Sequence, residues 1–258
     1  MIQRRTTANR KLSMYGFDLV SGSHNFFALL EFDITDLRTI LRERRIIGEG
    51  GSLFAFMLKA IGRCLEEFPE FNSMIDIRKT TSFDEVDISI PIEVRRDGEI
   101  HNKQYVIRNV NAKSLKEITG EIDSSKHDEE DGKGLVFTAA GQRLIDALPG
   151  KLVLWFFRFL LKSHARVKKL SGTVFVTSVS MFSNAPGFII PFAGGPKAAA
   201  FAIGSAVKKP VVKDDEIVIR EMINITAIFN HDLIDGAPAA RFINRFRRYL
   251  EKDFDRLM

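Results

Sequence analysis

Apolar residues recur along this chain in two periods. From Leu53 to Phe68 they follow helical spacing, with Leu53, Phe56, Met57, Ala60, Ile61 and Leu65 on one face, and Pro69 stops the run. From Val86 to Val94 apolar and polar residues alternate, the period of a half-buried strand. Phe26–Phe32 (FFALLEF) is almost continuously apolar and reads as a buried strand. Ile34–Arg45 reads as a helix with Thr35-Asp36 as its cap, and Ser114-Leu115-Lys116-Glu117 opens another helix as a capping box. Residues 1–13, polar and basic, begin a helix or an arm. Asp97-Gly98 marks a turn before a returning strand at Tyr105–Ile107. Residues 123–134 are acidic and polar, so they read as an exposed connection. Helical signals resume from Arg143 through Lys169, with a break at Pro149-Gly150. Two further strands are expected at Thr173–Val179 and Ile217–Phe229, separated by a glycine- and proline-containing loop and a small-residue run, Ala198–Gly204. An amphipathic helix from Ala237 to about Asp255 closes the chain. Helices and strands mix without the regular alternation of a parallel nucleotide-binding sheet, and no repeat appears. One α+β domain over residues 1–258 is expected.

Composition narrows the function classes. The chain has 258 residues and a net charge of +5, with its basic pairs scattered among acids. No basic stripe with exposed aromatics emerges, so nucleic acid is not an expected partner. The most apolar stretch, Leu152–Leu161 (LVLWFFRFLL), contains Arg158 and is about half the length of a membrane span, and the basic start has no apolar run behind it. A cytoplasmic protein without membrane contact is the expectation. The single cysteine, Cys64, permits no internal disulfide and sits in an apolar helical pattern, as a buried, inert thiol would. No His/Cys/Asp cluster has metal-ligand spacing, so no metal is expected. Gly48-Glu49-Gly50-Gly51-Ser52 lacks the lysine of a phosphate loop and reads as a loop with a helix cap.

The chemistry concentrates at His231. A strand delivers the chain to Asn230-His231, Asp235 follows four residues later, and Gly236 permits a tight turn before the last helix. A neutral imidazole there can take a proton from a thiol or hydroxyl, and a nearby carboxylate can orient the loop. His-x-x-x-Asp-Gly alone is a common pattern. The other four histidines, His24, His101, His127 and His164, have the contexts of surface or structural residues.

The surrounding residues make the pattern specific. Asn224–Leu250 (NITAIFNHDLIDGAPAARFINRFRRYL) resembles the active-site segment of the 2-oxoacid dehydrogenase acyltransferases, whose fold and mechanism are shared with chloramphenicol acetyltransferase. Gly172–Met181 (GTVFVTSVSM) resembles the family's strand bearing the oxyanion hydroxyl. Gly195–Val212 and Asp215–Val218 follow its next loop and hairpin, Val86–Ile118 its central strands and following helix, and Arg4–Leu12 its basic N-terminal helix. The resemblance therefore runs in order along nearly the whole catalytic domain. It implies a chloramphenicol acetyltransferase-like two-layer α/β sandwich with a mixed sheet. It also implies a CoA-dependent acyltransferase in which His231 is the general base. Thr177 would hydrogen-bond the tetrahedral oxyanion, and Asp235 would pair with an arginine, Arg4 first and Arg10 second. Ser178, next to Thr177, should point to the opposite side of the strand. Lys208 and Lys209 are candidates for the CoA phosphates or a solvated turn.

The resemblance further implies a homotrimer with active sites between subunits, with assembly into a larger core left open. Several features depart from the family. Threonine replaces serine at 177, Asp232 stands where arginine is common, Pro191–Pro196 differs from the usual proline segment, and the helix bearing Trp155 is unusually long and apolar. That helix suits subunit packing, a docking surface or an acyl-binding wall. No lipoyl domain, subunit-binding domain or Ala/Pro-rich linker is read, so no lipoate is expected on this chain. The acceptor would be a free small molecule or a lipoyl domain from another chain. A non-catalytic assembly protein retaining the fold is the rival reading.

Overall fold

A computed structural model describes residue 6 and residues 8–96, 99–127, 148–180 and 185–258. Helix α1 covers Ala8–Val20, and strand β1 (Asn25–Asp33) follows. Helices α2 (Thr35–Ile46) and α3 (Leu53–Glu67) come next. A short β2–β3 hairpin (Ser73–Asp76 and Lys79–Ser82) precedes β4 (Ile88–Arg96) and β5 (Glu99–Ile107). Then come α4 (Leu115–His127), α5 (Gly150–Leu161), α6 (His164–Ser171), β6 (Val174–Ser178), β7 (Ala199–Lys213), β8 (Glu216–Asn230) and α7 (Gly236–Glu251).

Six strands form one mixed sheet in the order β1-β8-β7-β6-β4-β5. β6 runs parallel to both β4 and β7, and the other pairs are antiparallel. Alternation along each strand sorts side chains onto two faces. Phe32, Ile88, Val174, Val176, Phe201, Ile225 and Phe229 point to one face, where helices α3 and α7 cover them. The rings of Phe71, Phe201, Phe229 and Phe242 meet there, with Phe71 and Phe242 stacked at 4.5 Å and Phe201 and Phe242 at 5.8 Å. Interlocked aromatic rings of this kind fix the angle at which α7 lies on the sheet. Aromatic side chains thus anchor the core, while Phe17, Phe27, Trp155, Phe156, Phe159, Phe188 and Phe192 remain exposed.

Several sequence expectations are refined. The start of α2 is not capped by Thr35-Asp36. The Asp33 carboxylate accepts from the Thr35 amide at 3.0 Å and from its hydroxyl at 2.7 Å. Thr35 Oγ1 in turn accepts from the Glu221 amide, tying the helix to β8. Ser52 caps α3 through the Ala55 amide at 3.0 Å, as its loop suggested. A Cβ on Gly51 would lie 2.5 Å from Leu115, so close packing on α4 accounts for that glycine without any ligand. Ser114 and Glu117 form the expected reciprocal cap. The small-residue run is not a separate element but the buried start of β7, a strand of 15 residues. Asp214 and Asp215, both at positive φ, make the two-residue turn into β8. Cys64 is fully buried, and burial pushes its thiol well above the ordinary cysteine range. Among the described residues no helix is long and apolar enough to cross a membrane. The Asp97-Gly98 turn, the helical start at Arg143 and Arg4 lie outside the described residues.

Candidate active site

His231 stands just beyond the last residue of β8. Its amide donates to the His24 carbonyl at 2.7 Å, which joins it to the segment before β1. The turn that follows is built by Asn230. Its side-chain Oδ1 accepts from the Asp232 amide at 3.0 Å, and its carbonyl accepts from Leu233 and Ile234 at 3.0 and 2.9 Å. Asn230 is itself buried, with its amide donating to Ala198 at 2.9 Å. A rigid sheet end thus presents an exposed ring, the arrangement that keeps a reactive side chain in place.

The His231 ring packs against Phe26 with centroids 4.9 Å apart. Its Nδ1 lies 3.6 Å from Asp235 Oδ1, an ion-pair distance rather than a hydrogen bond. Both side chains are open to solvent. Asp235 occupies the cap position of α7 without making a cap hydrogen bond, and it pairs with no arginine among the described residues. Arg10 sits exposed on α1. Gly236 is not at positive φ and a Cβ there would meet open space, so the tight turn expected of it is made by Asn230 instead. Asp232 does not press on His231: its carboxylate engages His24 Nδ1 at 2.9 Å.

Thr177 and Ser178 sit at the end of β6, each half-buried. Ser178 Oγ lies 2.8 Å from Ser180 Oγ and accepts from the Ser180 amide. Thr177 Oγ1 makes no hydrogen bond among the described residues and is free to donate elsewhere. It shares a sheet face with Phe175 and with Ala200 and Ala202 on β7, the face away from α3 and α7. Within one chain no hydrogen bond joins Thr177 to His231. Lys208 and Lys209 are part of β7 opposite Glu221 and Arg220, not a turn before the hairpin. Lys209 is ion-paired with Glu31, and Lys208 is exposed.

The chain matches the 2-oxoacid dehydrogenases acyltransferase (catalytic domain) family over residues 24–136 and 161–258. The chain belongs to that family. A lipoamide acyltransferase component of the branched-chain alpha-keto acid dehydrogenase complex from Bacillus subtilis is 28% identical over 232 residues, covering 87% of this chain and 46% of that protein. The chain spans about half the length of the curated relatives it matches. A probable dihydrolipoamide acetyltransferase from Listeria monocytogenes superposes with a TM-score of 0.73 at 23% identity, covering 100% of this chain and 99% of that one. A chloramphenicol acetyltransferase superposes at 0.50 with 15% identity over 97% of this chain and all of that one. The fold is thus the chloramphenicol acetyltransferase-like sandwich that the sequence resemblance implied.

This family member carries one feature the sequence reading passed over. A cavity of about 390 Å³ opens beside the Thr177-bearing face, walled by Phe17, Phe157, Phe175 and Ile228, with Asn230 and Lys197 among its polar lining. Lys197 Nζ donates to the Ser171 carbonyl at 2.5 Å. Burial, helped by the nearby Arg108 guanidinium and opposed by Asp87, pushes its amine down to about 7. The signal was a lysine directly before a run of core alanines, but strand periodicity alone gives no hint of a cavity.

Proposed function

We propose that this chain is a CoA-dependent acyltransferase working as a homotrimer, with His231 of one subunit facing Thr177 of the next. The observation that carries the reading is the exposed His231 ring, fixed at the end of β8 beside Asp235 and Phe26 in a chain of the acyltransferase family. No ring hydrogen bond occupies it among the described residues, so its neutral form can accept a proton. His231 takes the proton of an acceptor thiol or hydroxyl, and the resulting anion attacks the thioester carbonyl carbon of acyl-CoA. The Thr177 hydroxyl donates to the tetrahedral oxyanion. The intermediate then expels CoA as a thiolate, which takes the proton back from the imidazolium. No covalent acyl-enzyme forms. A donor placed at the oxyanion contributes on the order of 10²–10³ in rate.

A two-subunit site is supported by the register, which sets Thr177 beside Ala202 and Ala202 beside Thr226, five residues before His231. Asp235 acts by holding the His231 loop, with Arg4 as its proposed arginine partner. Of the two lysines, Lys208 is the better placed to meet CoA phosphates, since Lys209 already faces Glu31. Assembly of trimers into a larger core, a cytoplasmic location and the choice of acceptor belong to the same proposal.

The test is CoA release from acetyl-, propionyl- and succinyl-CoA with dihydrolipoamide and with hydroxyl and amine acceptors, in wild type and His231→Ala. Turnover that the variant loses by at least about 10²-fold is expected. A folded trimer inert with every pair would instead favour a scaffold role.

A further inference from the structure

We propose that the cavity beside α5 is a binding site for a medium-chain carboxylate, with the hydrocarbon chain among Phe17, Phe157, Phe175 and Ile228 and the carboxylate against Lys197.

Four observations carry this. The cavity has the size and the mainly apolar walls of a small-molecule site, with few polar groups converging on it. Lys197 supplies a positive charge that no carboxylate among the described residues pairs with. Its one hydrogen-bond acceptor among the described residues is the neutral Ser171 carbonyl. Asp87, the carboxylate that acts on it, is already engaged by Arg108 Nη1 at 2.8 Å and by the Asn109 amide at 3.0 Å. An ammonium taken from water without an anion is costly, and a bound carboxylate relieves that cost. Asn230 adds a second donor. It is 3% exposed and lines the cavity, and its side-chain oxygen is held by the Asp232 amide. Its side-chain nitrogen makes no hydrogen bond among the described residues.

The fourth observation concerns the wall. Most of α5, Phe157 included, falls in the stretch between the two segments that match the family. The helix leans on α1, which brings Phe17; of its other rings, Phe156 packs edge-on against Phe157 at 6.0 Å, and Trp155 and Phe159 stack on each other with centroids 6.3 Å apart. A helix that closes an apolar chamber around a lysine with no ion-pair partner among the described residues fits a ligand with an apolar body and an anionic end. The ligand is either a free carboxylate or an acyl group ending in a second carboxylate, since Phe175 is two residues from Thr177 on the same sheet face. The first source stands apart from the acyltransferase reading, whereas the second rests on it.

The test is calorimetric titration of the full-length chain with octanoate and with its neutral counterpart octanamide, at mildly acid pH where the amine is charged. Octanoate should bind at least tenfold more tightly than octanamide to wild type. Lys197→Met should bring the ratio near one, and Ala200→Phe, which fills the cavity, should weaken both ligands. Equal binding of the two ligands by wild type overturns the proposal without any variant, as does a preference that survives Lys197→Met. Binding requires no turnover, so its failure is separate from failure of the acyltransferase reading. Displacement of octanoate by suberyl-CoA but not by octanoyl-CoA would assign the carboxylate to a transferred acyl group. Displacement by neither would assign it to a free acid, and either result keeps the anion at Lys197.

Discussion

Lys197→Met is expected to stabilise the protein at neutral and acid pH and to lose that advantage as pH rises. In the folded chain the amine sits at about 7, against an ordinary value of 10.5. Between those two values the unfolded chain binds the proton and the folded chain does not. Stability of the wild type therefore rises with pH across this window. Below it, both states are protonated and the folded state bears the full cost of an unbalanced ammonium. The limiting slope for one such group is about 1.4 kcal/mol per pH unit. Lys197 retains some solvent contact and one carbonyl acceptor, so a total of about 2 kcal/mol is the working expectation. Methionine has a similar length and removes the charge, at the pH-independent cost of freeing the Ser171 carbonyl. The assay is urea unfolding of both proteins at one concentration, with the difference plotted against pH. Groups common to both proteins cancel in that difference. The variant should lead below pH 7 and the two should converge towards 10.5. A difference that is flat in pH, or that grows as pH rises, would refute the claim that Lys197 is an uncompensated charge. Bound carboxylate should flatten the same curve by supplying the counter-ion.

Two more outcomes follow from the geometry. His231→Ala and Thr177→Val, each nearly inactive alone, should recover roughly a quarter of wild-type activity when unfolded together and reassembled as random trimers, because one site in four then draws an intact residue from each parent. Mixtures no better than the separate variants would place both groups in one chain. Gly172→Ala should cost at least about 2 kcal/mol in urea unfolding. Gly172 has φ 66° and ψ −174°, and a new Cβ would lie 2.4 Å from the Asp87 carbonyl. A loss under about 0.5 kcal/mol would show that the β4–α6 contact relaxes freely.

Much of the architecture was legible because it rests on local periodicity. The helical stripe of Leu53–Phe68 became the buried face of α3, and the alternation of Val86–Val94 became β4, whose pairing starts at Ile88. The order of motifs identified the family because a long ordered match constrains more than any one motif does. Cap details were less legible, since Asp33 and Thr35 compete for the same helix start and only the position of β8 decides between them. The role given to Gly236 failed for a similar reason. A glycine before a helix suggests a turn, but the buried Asn230 had already made it.

By itself, the sequence determined most of the helices and strands, though not the start of β7, and the family, and it singled out His231 as the candidate base, because those depend on spacing along the chain and on the chemistry of single residues. Only the tertiary structure decided that Asp232 serves His24, that Ser178 is engaged while Thr177 makes no hydrogen bond among the described residues, that Lys209 faces Glu31, and that Lys197 lies in an apolar chamber with no described carboxylate paired to it. Those facts join residues far apart in the chain. Their energies come from desolvation and pairing across the fold, and no local pattern in the sequence encodes them.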